Sequence, residues 1–200
     1  KPPPREYHPG AEQIIAEIEN DGEKVVQYLS LGDHGKPVLF FKHMTHHLND
    51  LDWGFMRQTV NVILTRDPVE MLPSYAKQVA QPALHDVGYA LHLELLDYLH
   101  SIGQTPPVLD SKQTLLNPRG VLTKLCRQIS IPFDEAMLSW EAGARPEDGS
   151  WAKFWYDAVH RSTGFQKYRP KTEPFPDQLR PLLAACQPSY DKLAPLAISA

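Results

Sequence analysis

The spacing of apolar residues changes several times along this chain, and each change marks an element. AEQIIAEIE (11–19) puts Ile14, Ile15 and Ile18 on one stripe and predicts a helix. A turn and a short strand or extended piece follow around 24–29, and KPVLFF (36–41) reads as a buried strand opened by Pro37. DLDWGFMR (50–57) suits one or two helical turns. TVNVILT (59–65) is β-branched and apolar throughout, the pattern of a strand covered on both faces. A long helix is expected over 86–101, with Val87, Leu91, Leu95, Tyr98 and Leu99 inward and Gly103 as its stop. PPVLDS (106–111) reads as a third buried strand, its prolines at the start where they cost least. In NPRGVLTKLCRQIS (117–130), Asn117 fits the N-cap and Pro118 the first turn of a helix. GARPEDGS (143–150) is an expected exposed loop, and the tail should hold helices near 177–186 and 189–198.

Strands separated by helices imply parallel pairing and an α/β sandwich. Ligands of such sheets bind beyond the carboxyl ends of the strands. Two polar clusters fall there: KHMTHH after VLFF, and TRDP after VNVIL.

Composition narrows the function classes. Two hundred residues, 42% hydrophobic and 22% charged, suit one globular domain. A net charge of −4 gives no footprint for nucleic-acid binding, and no run approaches the roughly 18 apolar residues of a membrane span. Cys126 and Cys186 show neither zinc-site nor disulfide spacing. They read as core thiols of a chain in a reducing compartment, the cytoplasm by default. The start at Lys1, followed by PPPREYHPG, looks like a segment of something longer, with residues 1–10 a linker or flexible.

The stretch TRDPVEMLPSY (65–75) admits two accounts. In ordinary helix-start chemistry Asp67 is the N-cap, Pro68 the first helical residue, and Glu70 completes a capping box. That leaves Arg66 without a partner and Ser74 unexplained on the same stripe. It also places Pro73 inside a helix at a cost of ~3 kcal/mol. Alternatively, an arginine fork and a hydroxyl beside a helix N-terminus are donors suited to a phosphate dianion.

R-[DN]-P followed by S-Y, with eight residues from Arg66 to Ser74, resembles the sulfotransferase motif that holds the 3′-phosphate of PAPS (3′-phosphoadenosine 5′-phosphosulfate). VLDSKQTLLNPRGVLTKLCRQISIPFDEAML (108–138) is similar to the family's strand, "L..NP", helix and "L.IPF...ML" run, and GARPEDGSWAKFW resembles its late basic–Gly–Trp segment. The closest branch carries FFKHM..HL and RDP..MLPS and is sometimes fused to a branched-chain aminotransferase-like domain.

The resemblance implies a three-layer α/β sandwich with a parallel sheet, P-loop NTPase/sulfotransferase-like, as a single domain over 1–200. The sandwich would lack its first strand, because no glycine loop for the 5′-phosphosulfate is visible in this chain. It implies PAPS as donor and PAP as product, held by Arg66, Ser74 and Arg145, with Gly149 and Trp151 as landmarks. Lys42 matches the family's strand-end lysine. Met44 stands where the family places its histidine, so the general base falls to His43, His46 or His47. A small-molecule hydroxyl or amine is the implied acceptor, and the chain alone is expected to be inactive although its parent is an enzyme. The alternative is a non-catalytic interaction module, fused to or associated with an aminotransferase domain. H-x-x-H-H could be a metal site but lacks nearby carboxylates, and no Walker lysine supports a kinase. Neither a metal nor a nucleic-acid or membrane partner is expected. His92, His100 and the aromatic trio Trp151, Phe154 and Trp155 read first as packing residues, the trio also as a candidate acceptor-pocket lining.

Overall fold

The computed structural model describes residues 10–29, 31–48, 50–79 and 81–199. The linker expected at 1–10 therefore lies outside them, apart from Gly10.

Helix α1 (Ala11–Glu17) falls where the apolar stripe predicts it. Helix α2 (Gly22–Leu29) replaces the strand or extended piece expected at 24–29. Asp21 explains the change, since its carboxylate accepts from the amides of Glu23 and Lys24 and so starts a helix. Single-turn 3-10 helices cover Thr45–Leu48 and, capped by Asp52, Trp53–Gln58.

Strand β1 (Ile63–Thr65) leads into α3 (Pro68–Tyr75), α4 (Leu84–Val87) and α5 (Tyr89–Ser101). Strand β2 (Val108–Asp110) runs into α6 (Ser111–Leu116) and α7 (Pro118–Gln128). The short α8 (Ala152–Trp155) and α9 (Asp157–His160) precede α10 (Arg180–Leu193).

β1 and β2 pair in parallel, Ile63 beside Val108, Leu64 beside Leu109 and Thr65 beside Asp110. On the far side of β2, Ala197 adds one parallel bridge to Val108. Helices pack against part of each face. Ile63 and Val108 pack with Leu96 of α5 and Leu193 of α10, whereas Val62 and Leu109 pack with Val121 and Leu125 of α7 and with Ile198. The chain is thus a helix-rich α/β structure around a small parallel sheet.

Several expectations need correction. Residues 36–41 form no strand, and Val38, Leu39, Phe40 and Phe41 are exposed, Phe40 by 82%. Among the described residues β1 pairs only with β2, so this apolar run has neither a ladder nor a cover. The strand expected at 59–65 is shortened to 63–65 and is not covered on both faces, because Leu64 is 56% exposed. The helix expected at 86–101 is broken at Gly88, which adopts φ 69°. There Thr45 approaches so closely that a Cβ would lie 2.2 Å from its hydroxyl, a place only glycine fills. The inward residues are consequently Tyr89, Leu96 and Leu99. The two tail helices are one, with Pro188 inside α10. By contrast Asn117, Pro118 and Gly103 act as expected: Asn117 accepts from the Gly120 amide, Pro118 opens α7, and Gly103 turns at φ 82°.

Among the described residues, no helix is long and apolar enough to cross a membrane.

Candidate functional site

Both strands end in buried polar residues, Thr65 and Asp110, each 3% exposed. Asp110 is satisfied by the Gln113 amide at 2.9 Å and the Tyr190 hydroxyl at 3.1 Å. Thr65 Oγ1 has no hydrogen-bond partner. The chain leaves this rim through Arg66 and enters α3 with Asp67 as N-cap, its carboxylate accepting from the Val69 amide at 2.8 Å. Pro68 occupies the first turn, and α3 carries Pro73 without ending there.

Glu70 does not complete a capping box. Its Oε1 accepts from the Tyr168 hydroxyl at 2.5 Å, and its Oε2 forms an ion pair with Arg66 Nε at 3.7 Å, too long for a hydrogen bond. Arg66 Nε is buried without a hydrogen-bond partner. Glu70 and Ser74 share one face of α3, one turn apart, and Arg66, just before the N-cap, reaches that face through its ion pair with Glu70. Ser74, on that stripe, accepts from Lys171 Nζ at 2.9 Å, and the same ammonium reaches the Glu70 carbonyl at 2.9 Å. Partial burial and then the charges of Arg66 and Lys77 hold the Lys171 pKa below its usual value, with Glu173 and Glu70 opposing. Lys112 lies over the Tyr168 ring, 5.4 Å from its centroid.

Arg66 and Ser74 are therefore brought to one patch. The bonds of Arg145 stay within its own loop: its guanidinium donates to the Glu141 carbonyl and its amide to Asp148. His160 holds the same Asp148 oxygen at 2.8 Å, so the loop is clasped on itself. The backbone amide of Arg145, then the protein's desolvation in opposition, then His160 set the Asp148 carboxyl below its ordinary pKa. Trp151 folds over Gly149, where an added Cβ would meet the indole at 2.0 Å. Its own N–H reaches the Tyr156 hydroxyl. Phe154, 38% exposed, leans on Gly10.

The second cluster gathers, though not at a strand end as the sequence reading placed it, since residues 36–41 form no strand. The His46 and His47 ring centroids are 4.9 Å apart, His43 is 6.3 Å from His47, and Lys42 Nζ lies 3.3 Å from Met44 Sδ. Desolvation, reinforced by His46, His43 and Lys42, pushes His47 down to about 4. Part of the ring still faces solvent, which moderates the effect. His43 is lowered for the same first cause, with Lys42 adding to it. Among the described residues no three His, Cys, Asp or Glu converge to hold a metal ion.

The N-terminus of α5 joins the two clusters: Gly88 touches Thr45, and the Tyr89 hydroxyl donates to the Arg66 carbonyl at 2.7 Å. Two open concavities, of about 380 and 320 Å³, are lined by residues such as Asp21 and Leu51, and Thr105 and Gln128, and include neither cluster. The sequence reading missed Tyr89, Tyr168 and Lys171. The last two come from QKYRPKTE, whose density of basic and aromatic residues was the one available signal.

Comparison with known proteins gives the family. A sulfotransferase domain model matches residues 6–197. Branched-chain-amino-acid aminotransferase-like proteins 2 and 1 of Arabidopsis thaliana are each 34% identical over 186 residues, covering 92% of this chain. The chain spans about a third of the length of these relatives, since 33% of each is covered. No solved structure matches. With the family model covering nearly all of it, the chain belongs to the sulfotransferase domain family.

Proposed function

We propose that the intact protein is a PAPS-dependent sulfotransferase whose donor 3′-phosphate is held by Arg66 and Ser74. The supporting observation is the buried Arg66 Nε, ion-paired with Glu70 at 3.7 Å but without a hydrogen bond, near the Ser74 hydroxyl one turn beyond Glu70, at the carboxyl rim of a parallel sheet. A guanidinium whose inner N–H has no acceptor fits a dianionic oxygen. In this reading the chain is one P-loop-like domain, a three-layer sandwich with α5 and α10 on one side of the sheet and α7 on the other. Arg145 is the third candidate ligand once its hold on the Glu141 carbonyl is released.

PAPS, when bound, supplies an activated sulfuryl group for a hydroxyl or amine of a small-molecule acceptor. Lys42 places a positive charge beside that group, where charge spreads over its oxygens. His43, His46 or His47 takes the acceptor's proton; the lowered pKa of His47 keeps its imidazole neutral and accepting at neutral pH. The buried free thiols Cys126 and Cys186 suit a reducing compartment such as the cytoplasm.

The test is ligand-dependent stability of the full-length protein. PAP at a hundredfold excess over its Kd should stabilise it by ~2.7 kcal/mol, and Arg66→Ala should abolish the rise in melting temperature. A mutant that responds to PAP like the wild type removes the assignment. The exposed run at 38–41 favours a second reading, a sulfotransferase-like interaction module beside an aminotransferase-like domain. Under it PAP shifts neither protein.

A further inference from the structure

The segment between α9 and α10 crosses α3 and is tied there by three side-chain bonds. The Tyr168 hydroxyl reaches the Glu70 carboxylate, and Lys171 Nζ reaches the Glu70 carbonyl and Ser74 Oγ. These bonds close loops of 97 to 101 residues, so the segment's place is a product of tertiary folding rather than local sequence. Its effect is to set an ammonium beside a guanidinium. Lys171 and Arg66 repel each other, and Lys77 adds to the repulsion.

The nearby anionic group, the Glu70 carboxylate, is bonded to Tyr168 and stands 3.7 Å from Arg66 Nε. Lys171 bonds the Ser74 hydroxyl, while Arg66, ion-paired with Glu70, keeps a buried Nε–H without a hydrogen bond. Lys171 is fastened to a carbonyl of α3 and also to the Ser74 hydroxyl, the group taken above as an anion ligand. Like charges held together lower the cost of bringing a dianion between them, because the ligand relieves their repulsion.

We propose that Lys171 is a binding residue of this anion site, presenting a second cation to the same phosphate dianion as Arg66 and Ser74. The inference rests on the donor reading above and adds to it a ligand from a segment far away in sequence. Lys171 contributes charge, and its bond to Ser74 holds that charge in place before the ligand arrives.

The experiment measures PAP affinity by calorimetry on the full-length protein, comparing wild type with Lys171→Gln, Lys171→Arg and Arg66→Ala. Lys171→Gln keeps a donor for Ser74 and the Glu70 carbonyl but removes the charge. It should lower affinity about tenfold in low salt with an unchanged melting temperature without ligand. The deficit should shrink to about threefold at 0.5 M salt, as screening of a charge requires. Lys171→Arg should restore at least half of the binding free energy lost. Equal affinity of Lys171→Gln and wild type, or a deficit indifferent to salt, overturns the role of Lys171 while leaving Arg66 standing. An Arg66→Ala protein that binds PAP normally overturns the donor reading itself, and this inference falls with it.

Discussion

The phenol of Tyr89 donates a 2.7 Å hydrogen bond to the backbone carbonyl of Arg66, so the first residue of α5 fixes the strand exit that carries the candidate anion-binding arginine. Tyr89 is 3% exposed. Burial drives its pKa far above the ordinary phenol value; Cys186, Asp67 and Tyr190 push the same way and Arg66 opposes them. Burial therefore favours the protonated, donating hydroxyl. Gly88, one residue earlier, is where Thr45 packs, so a single helix start sets both polar clusters.

Tyr89→Phe isolates this relationship. It preserves the ring and its edge-on contact with His92 but leaves the Arg66 carbonyl without its donor. An unsatisfied buried carbonyl costs ~1–3 kcal/mol, which a lowered urea midpoint would report. PAP affinity should fall with it, because the backbone that aims Arg66 is loosened. An unchanged midpoint together with unchanged PAP binding would mean that the bond positions nothing.

The sequence displays some of this and hides the rest for identifiable reasons. Asn117 and Pro118 declare α7 locally, because a cap is a matter of a few adjacent residues. Asp67 and Pro68 declare the start of α3 in the same way. Residues 36–41 have strand composition, yet a strand needs a neighbour, and none of the described residues pairs with them. Gly88 was the other difficulty: a helical stripe passes through it unbroken, and only the approach of Thr45 shows why the helix divides there. At the candidate site, Arg66 and Ser74 announce themselves by spacing. Lys171 lies 97 residues beyond Ser74, a distance that no local pattern spans.

His47 offers a pH signature. Its folded-state pKa, about 4, lies below the ordinary imidazole value near 6.5. Above that ordinary value neither state binds the proton, and the group leaves stability unchanged. As pH falls from about 6.5 to about 4, the unfolded chain takes up a proton that the folded chain refuses, so stability is lost across that window. His43 acts in the same direction. His47→Phe should therefore flatten the fall of the urea midpoint between about pH 6.5 and 4.5 relative to wild type. Parallel curves for the two proteins would show that the imidazole titrates normally. If His47 is also the base, the acid limb of kcat/KM should lie below about pH 5 instead of near 6.5.

Leu193 tests whether α10 holds the carboxyl rim together. It is fully buried against Ile63, Leu96 and Val108, one residue from each strand and one from α5. One helical turn before it, Tyr190 donates to the buried Asp110. Removing the Leu193 side chain opens a cavity at the junction of three elements, and such a change typically costs ~2–5 kcal/mol. The exposed Leu116, 57% accessible on α6, supplies the contrast. Its replacement by alanine should stay within ~0.5 kcal/mol. Chemical denaturation of Leu193→Ala and Leu116→Ala at equal temperature and pH compares the two directly. Because the cavity lies against Ile63 and Val108, two residues before Thr65 and Asp110 in their strands, Leu193→Ala should also weaken PAP binding, whereas Leu116→Ala should not. Equal destabilisation by the two variants would show that the sheet's carboxyl rim does not depend on α10.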